Sequence, residues 1–336
     1  MHRSVAGATE RPYTIRPAPV RGWVRVRLGR LAKQCAAHRT LLLIFAPGLL
    51  YFLVFNYIPM IGIVLAFKDY HVRAGIWNSP WAGLTNFGRF FASYYAGRII
   101  INAILLNVLS LIIAFPMPIL LALLLNEVRS NRYKRSVQTI TYFPHFVSAV
   151  IMVGMVKMLL SPDPSVGIVN QIRMSLFHAQ AVDFATEPEL FRPVYILMLI
   201  WQGTGFSAII YLASLAAVDV QIYEAALIDG ANRLELARHI NLPALAPTIV
   251  VLLLLNISGL LRSGVETILA FYSPAIYSTA DVIETFVYRR GLAGDGNLPP
   301  DYSFATAVGL FQSVVGLILI VGANRLARRI TGHSLW

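Results

Sequence analysis

Six apolar stretches, each long enough to cross a bilayer, settle the class of fold before any motif is read. They cover 40–67, 99–125, 137–160, 193–218, 247–261 and 303–327, the fifth extending back towards Ala244. About 20 apolar residues reach across roughly 30 Å of hydrocarbon. Backbone polar groups in lipid must be paired within their own segment, so each stretch is expected to be a helix. Only 13% of the 336 residues are charged, whereas an ordinary soluble domain carries about 25%. The expected architecture is therefore all-α: a polytopic membrane protein with six transmembrane helices.

Charge fixes the expected orientation. The residues before the first stretch, 1–39, hold nine Lys/Arg and one acid, Glu10, with Pro12, Pro17 and Pro19 keeping the start irregular. A cleavable signal would place its apolar core nearer the start, so 1–39 reads as a basic tail ahead of an uncleaved span. With that tail inside, the inner segments 1–39, 126–136, 219–246 and 325–336 carry 18 Lys/Arg against 6 Asp/Glu. The outer segments 68–98, 161–192 and 262–302 carry 9 against 10. Cationic flanks are retained on the cytoplasmic side, so both termini, including a short tail at 328–336, are expected there. Membrane retention also explains the basic tail without nucleic acid. Cys35 is the sole cysteine, which excludes an intrachain disulfide and any thiol cluster for a metal.

The polar interruption at 219–246 has internal design. Asp219 can cap a helix over 220–229, with Glu224, Ala225 and Ala226 in its middle, and Gly230 can end it in the left-handed conformation. Asn232 can cap a second helix through His239, with Leu234, Ala237 and Ile240 as an apolar stripe. Pro243 and Pro247 are expected to stop that helix and turn the chain back into the membrane. Ala225, Ala226 and Gly230 let another backbone approach closely, Glu224 offers a fixed negative charge, and Arg233 and Arg238 offer the opposite sign. The bland alternative is an amphipathic loop lying on the inner leaflet. The triplet, the glycine and the Ile240-Asn241-Leu242-Pro243 ending together favour a handle for a soluble partner.

These residues resemble the "EAA" coupling loop of ABC importer permeases. Residues 142–146 (Tyr-Phe-Pro-His-Phe), 277–289 and 305–313 are similar to the oligosaccharide and polysaccharide branch of the maltose-permease-like superfamily. The resemblance covers roughly 40–330. It implies a type I ABC importer permease fold in a bacterial inner membrane, with permease domain 40–327. It further implies a second homologous permease, two ABC ATPases gripping the coupling loops through Glu224, Ala225, Ala226, Asp229, Gly230, Arg233 and Pro243, and an extracytoplasmic solute-binding protein. No Gly-x-x-x-x-Gly-Lys-Ser/Thr loop occurs in the chain, so ATP and magnesium are expected on the partner ATPases, with no cofactor bound here and no catalysis by this chain.

Polar residues inside spans face a cavity or another helix. Carried over from the family, sugar contacts point to Gln202, Gly203 and Phe206 and to 256–262, including Asn256 and Arg262, with Asn107 a further path candidate. Helix packing is the competing use of each. Lys157, near the end of its span, is expected to snorkel to the surface. Arg262, Arg289, Arg290 and Lys157 place positive charge along the outer path, which suits acidic cargo of the alginate or pectin kind. An ion-coupled secondary sugar transporter is the alternative; it would use intramembrane carboxylates, and the stretches hold essentially none. The histidines lack metal-ligand spacing. The outer segment 262–302 reads as a docking surface for the binding protein or as a solvated loop with a short helix.

Overall fold

The computed structural model describes residues 38–294, 299–332 and 334–335. Most of the basic tail, with Cys35, lies outside the described residues, as does Gly296. The first compact unit ends at Ile61 and the second begins at Gly62. Helix α1, Arg39–Phe67, is long and apolar enough to cross a membrane. From Arg39 to Met60 it buries no side chain.

In the second unit, α2 (Thr85–Phe91) leads into the span α3 (Ala96–Asn126). The third apolar stretch is not one rod. Its helices α4 (Asn131–Phe146) and α5 (Ala149–Leu159) meet at 102°. Pro144 sits in a tight turn at Phe143–Phe146, Val147 is extended, and Ser148 caps α5 by accepting from the Ile151 amide. Next come α6 (Ile168–Phe177), the span α7 (Pro188–Ala216), and α8 (Val220–Ile228). The span α9 (Arg233–Ser258), short α10 (Val265–Phe271) and α11 (Ile283–Tyr288), and the span α12 (Tyr302–Arg329) complete the fold. Among the described residues five helices are thus long enough to span, or six with the bent pair taken as one.

Pro243 and Pro247 do not stop the helix after Asn232. Helix α9 runs through both, because the turn Ala237–Asn241 widens and the Leu242 amide reaches the Ala237 carbonyl. The same device precedes two other prolines. Ile58 donates to the Leu53 carbonyl ahead of Pro59, and Phe115 donates to the Ser110 carbonyl ahead of Pro116. A proline ring collides with the carbonyl four residues back and lacks a donor of its own. A five-residue turn ahead of it absorbs the mismatch without ending the span.

Two apolar clusters hold the second unit. The larger joins α2, the start of α3, α5 and α7 to Ile268, Val282, Ile283 and Phe286 from 262–302 and to Phe304 and Val308 of α12. Much of the described part of the segment read as a surface loop is therefore core. The smaller cluster packs Ile119 and Ala122 of α3 against Ala208, Tyr211 and Leu215 of α7 and Leu245 of α9. At Gly205 the α7 backbone approaches α4 so closely that an added Cβ would lie 2.1 Å from the Thr141 carbonyl oxygen.

Candidate functional site

The hairpin between α7 and α9 is built locally. Asp219 accepts from the Gln221 amide at 3.0 Å to start α8. Gly230, at φ +85°, closes it, with the Ala231 amide reaching back to the Ala226 carbonyl at 2.9 Å. Asn232 and Glu235 then cap α9 reciprocally: the Asn232 amide donates to Glu235 Oε2 at 2.7 Å and the Glu235 amide to Asn232 Oδ1 at 3.0 Å. The Tyr223 hydroxyl donates to Asn241 Oδ1 at 2.5 Å, and Asn241 is fully buried, so α8 is tied to the widened turn of α9. Burial raises the Tyr223 phenol above its ordinary pKa; a bond with Asn126 works against this and the Glu127 charge adds to it.

Ala226, Asp229 and Gly230 line an open groove of about 370 Å³ with Glu235, Leu236, His239 and Ile240. Glu224 and Arg233 are exposed and, among the described residues, form no ion pair. Pro243 is exposed beyond the groove, on α9. The stripe differs from expectation: Leu236 is buried, while Leu234 is 77% and Ile228 87% exposed. The hairpin thus presents a small-residue groove, exposed charges in no ion pair among the described residues, and bare aliphatic side chains.

The path candidates divide. Gly203 of α7 and Asn256 of α9 share a cleft of about 330 Å³ with Ser110, Thr204 and Ser207. Among the described residues the buried Thr204 hydroxyl has no hydrogen-bond partner, and exposed Asn256 bonds through its amide only to the Leu252 carbonyl of its own helix. The Gln202 amide donates to the Val147 carbonyl at 3.0 Å, satisfying backbone freed by the bend between α4 and α5. Asn107 donates to the Ala103 carbonyl and to Ser263 Oγ, tying α3 to the chain after α9. Phe206 stacks on His145, and Arg262 is exposed after the end of α9, away from the cleft.

The outer positive charges are more engaged than the sequence implied. Lys157 does not snorkel; it donates to the Ala270 carbonyl at 2.7 Å. Arg289 pairs with fully buried Asp281 at 3.0 Å, and Arg98 lies 3.9 Å from the same carboxylate. Tyr272 and Thr285 donate to its other oxygen, while Asn102 holds the Asp281 and Ser278 carbonyls and accepts from Arg192. Burial alone would weaken the charged form of Arg289, but Asp281 and Tyr272 raise its pKa on balance. Glu284 joins three segments, accepting through Oε1 from the Ser263 amide and Gln312 Nε2, while its buried Oε2 has no partner among the described residues. Treating 262–302 as one solvated segment hid these carboxylates; the apolar pairs Val282-Ile283 and Phe286-Val287 beside them were the available signal.

Spans, hairpin and cleft together define a multi-pass permease. The chain belongs to the binding-protein-dependent transport system inner membrane components, whose family pattern matches residues 114–332. It is similar to Protein LplB of Bacillus subtilis (strain 168), 44% identical over 88% of this chain and 91% of that one. The polygalacturonan/rhamnogalacturonan transport system permease protein YteP of the same organism is 44% identical over 91% of this chain and 93% of its own. Among solved structures, a bacterial ABC transporter involved in the import of the acidic polysaccharide alginate superposes with TM-score 0.81 at 43% identity, covering 90% of this chain and 99% of that one. The bacterial alginate ABC transporter in complex with alginate pentasaccharide-bound periplasmic protein gives 0.81 at 42% identity, covering 91% and 100%.

Proposed function

We propose that this permease forms half of the translocation path of an ATP-driven importer of acidic oligo- or polysaccharides in a bacterial inner membrane. Its hairpin and both termini face the cytoplasm. A second homologous permease completes the path, two ABC ATPases carrying ATP and magnesium grip the two hairpins, and an extracytoplasmic solute-binding protein delivers the cargo. Nucleotide-driven closure of the ATPases pushes the hairpin, and the permeases rock about a central site to give alternating access.

The observation that carries this reading is the hairpin itself, rigidly capped and tied to a spanning helix, yet bare of intrachain cover at Glu224, Ile228 and Leu234. Glu224, Ala225, Ala226, Asp229, Gly230 and Arg233 make the ATPase contact, and Pro243 sits beyond it, past the widened turn. The cleft at Gly203, Thr204 and Asn256 is the substrate path. Acidic cargo is supported by the alginate and polygalacturonan transport named for the relatives. The ion-coupled alternative has little to work with: the described spans carry acids only in their first turns, at Glu189 and Glu235.

Copurification tests the assignment. Tagged permease brings down an ATPase, and Glu224→Arg releases it while the permease still elutes as a monodisperse species. Full uptake and retained ATPase in that variant would sink the coupling role.

A further inference from the structure

We propose that His145 is a cargo-contacting residue: with Phe206 and Phe146 it makes a shelf at the bend of the third apolar stretch that holds one acidic sugar ring of the cargo. This rests on the import reading above and adds α4 to a path already lined by α3, α7 and α9.

The first observation is the bend. Backbone leaves the helix at Phe143–Phe146 and is extended at Val147. Irregular backbone at membrane depth persists only where protein covers it or where it lines a water-filled cavity. The Val147 carbonyl is covered, by Gln202 of α7. His145 is not covered.

The second observation is the geometry of three rings. His145 and Phe206 lie face to face, centroids 3.9 Å apart and planes within 3°. Phe146 meets both edge-on, at 5.8 Å and 6.2 Å, and is 75% exposed. His145 is exposed, and neither ring nitrogen is hydrogen-bonded among the described residues. An imidazole presented to hydrocarbon would leave a donor and an acceptor unmet, which is costly. The shelf therefore faces water, a polar ligand or another subunit rather than lipid, and the proposal commits to the ligand.

The third observation is position. Phe206 follows Gly203 by three residues and so shares its side of α7. Gly203 lines the cleft that also holds the orphaned Thr204 hydroxyl and Asn256. A pyranose ring has an apolar face of C–H groups and a rim of oxygens. Aromatic rings suit the face, and ring N–H, hydroxyl and amide donors suit the rim, the mixture that small-molecule sites use. An imidazole beside an aromatic floor adds a donor that a sugar carboxylate accepts.

The test uses the whole importer in proteoliposomes, with its binding protein, fed a uronate trisaccharide and the same trisaccharide after carboxyl reduction. His145→Ala removes the shelf and should raise KM for both sugars about tenfold. His145→Phe keeps the aromatic surface without nitrogens. It should raise KM about fivefold for the uronate alone, leaving the reduced sugar within about twofold. Copurification of both partner subunits should be unchanged in each variant. Unchanged KM in both variants overturns the proposal, and loss of the second permease from His145→Ala does so by placing the shelf at a subunit interface. An unaltered importer that moves neither sugar overturns the import reading and this inference with it, whereas a working importer indifferent to both variants overturns this inference alone.

Discussion

Two polar interruptions of the hydropathy pattern, 219–246 and 262–302, look alike in composition and fold in opposite ways. In the first, polar side chains cap helices and point outward, and aliphatic residues such as Ile228 and Leu234 stay bare. In the second, polar side chains turn inward: Asp281 and Thr285 are fully buried beside Ile268, Val282 and Ile283. One segment leaves aliphatic surface uncovered; the other buries it within the chain. The difference teaches that charge density along a sequence does not reveal whether a charge has a partner. Asp281 has Arg289, Tyr272 and Thr285, whereas Glu224 is in no ion pair among the described residues.

That contrast can be broken at its strongest point. Asp281→Ala leaves Arg289 without its buried counter-charge and should destabilise the solubilised permease by about 3–5 kcal/mol, read by thermal unfolding in detergent. A loss under 1 kcal/mol would mean that water reaches the pair. Glu224→Arg should do the reverse. It should leave melting within about 0.5 kcal/mol of the unaltered protein while lowering ATP-driven uptake at least about tenfold, roughly 1.4 kcal/mol of coupling.

Glu284 sharpens the contrast through pH. Burial, opposed by bonds from Gln312 and Ser263 and by the Arg262 charge, raises its carboxyl above the ordinary range. The folded protein therefore holds this proton more tightly than the unfolded chain. Its stabilising contribution is complete below the ordinary carboxyl pKa and is lost as pH rises through the raised folded value. Across that window the slope for one proton is at most about 1.4 kcal/mol per pH unit. Melts of the unaltered protein and Glu284→Gln from acid to neutral pH should converge in acid and diverge above, with the variant the more stable; parallel curves would refute the assignment. The smallest effect belongs to Tyr223→Phe. Removing its bond to Asn241 should cost about 0.5–1.5 kcal/mol, seen as earlier loss of ATPase-coupled uptake on warming, with unfolding of the apolar clusters unmoved.

Much of this was legible in sequence because its causes are local. Span length follows from bilayer thickness, and the caps at Asp219, Gly230 and Asn232 depend on residues within one turn, so all three form as the chain reads. Boundaries set by tertiary packing were not legible. Helix α7 begins at Pro188, in a first turn that tolerates proline, and carries Pro193 within it. The apolar stretch 137–160 gave no sign to an averaged hydropathy that Pro144 and Ser148 divide it into two helices nearly at right angles. Of the path residues, Gly203 and Asn256 meet across helices distant in sequence, and the same long-range geometry assigns Gln202 and Asn107 to holding backbone and loop. A sequence shows which side chains can make a bond, and packing decides which bond they make.

The second arm of the hairpin and the fifth span are one helix, Arg233–Ser258, with no joint at Pro243 or Pro247. Its 26 residues amount to a strut about 39 Å long at 1.5 Å per residue. Under the proposed coupling, a thrust at Arg233 would reach Asn256, on the wall of the cleft, through this one helix, past the widened turn at Ala237–Asn241.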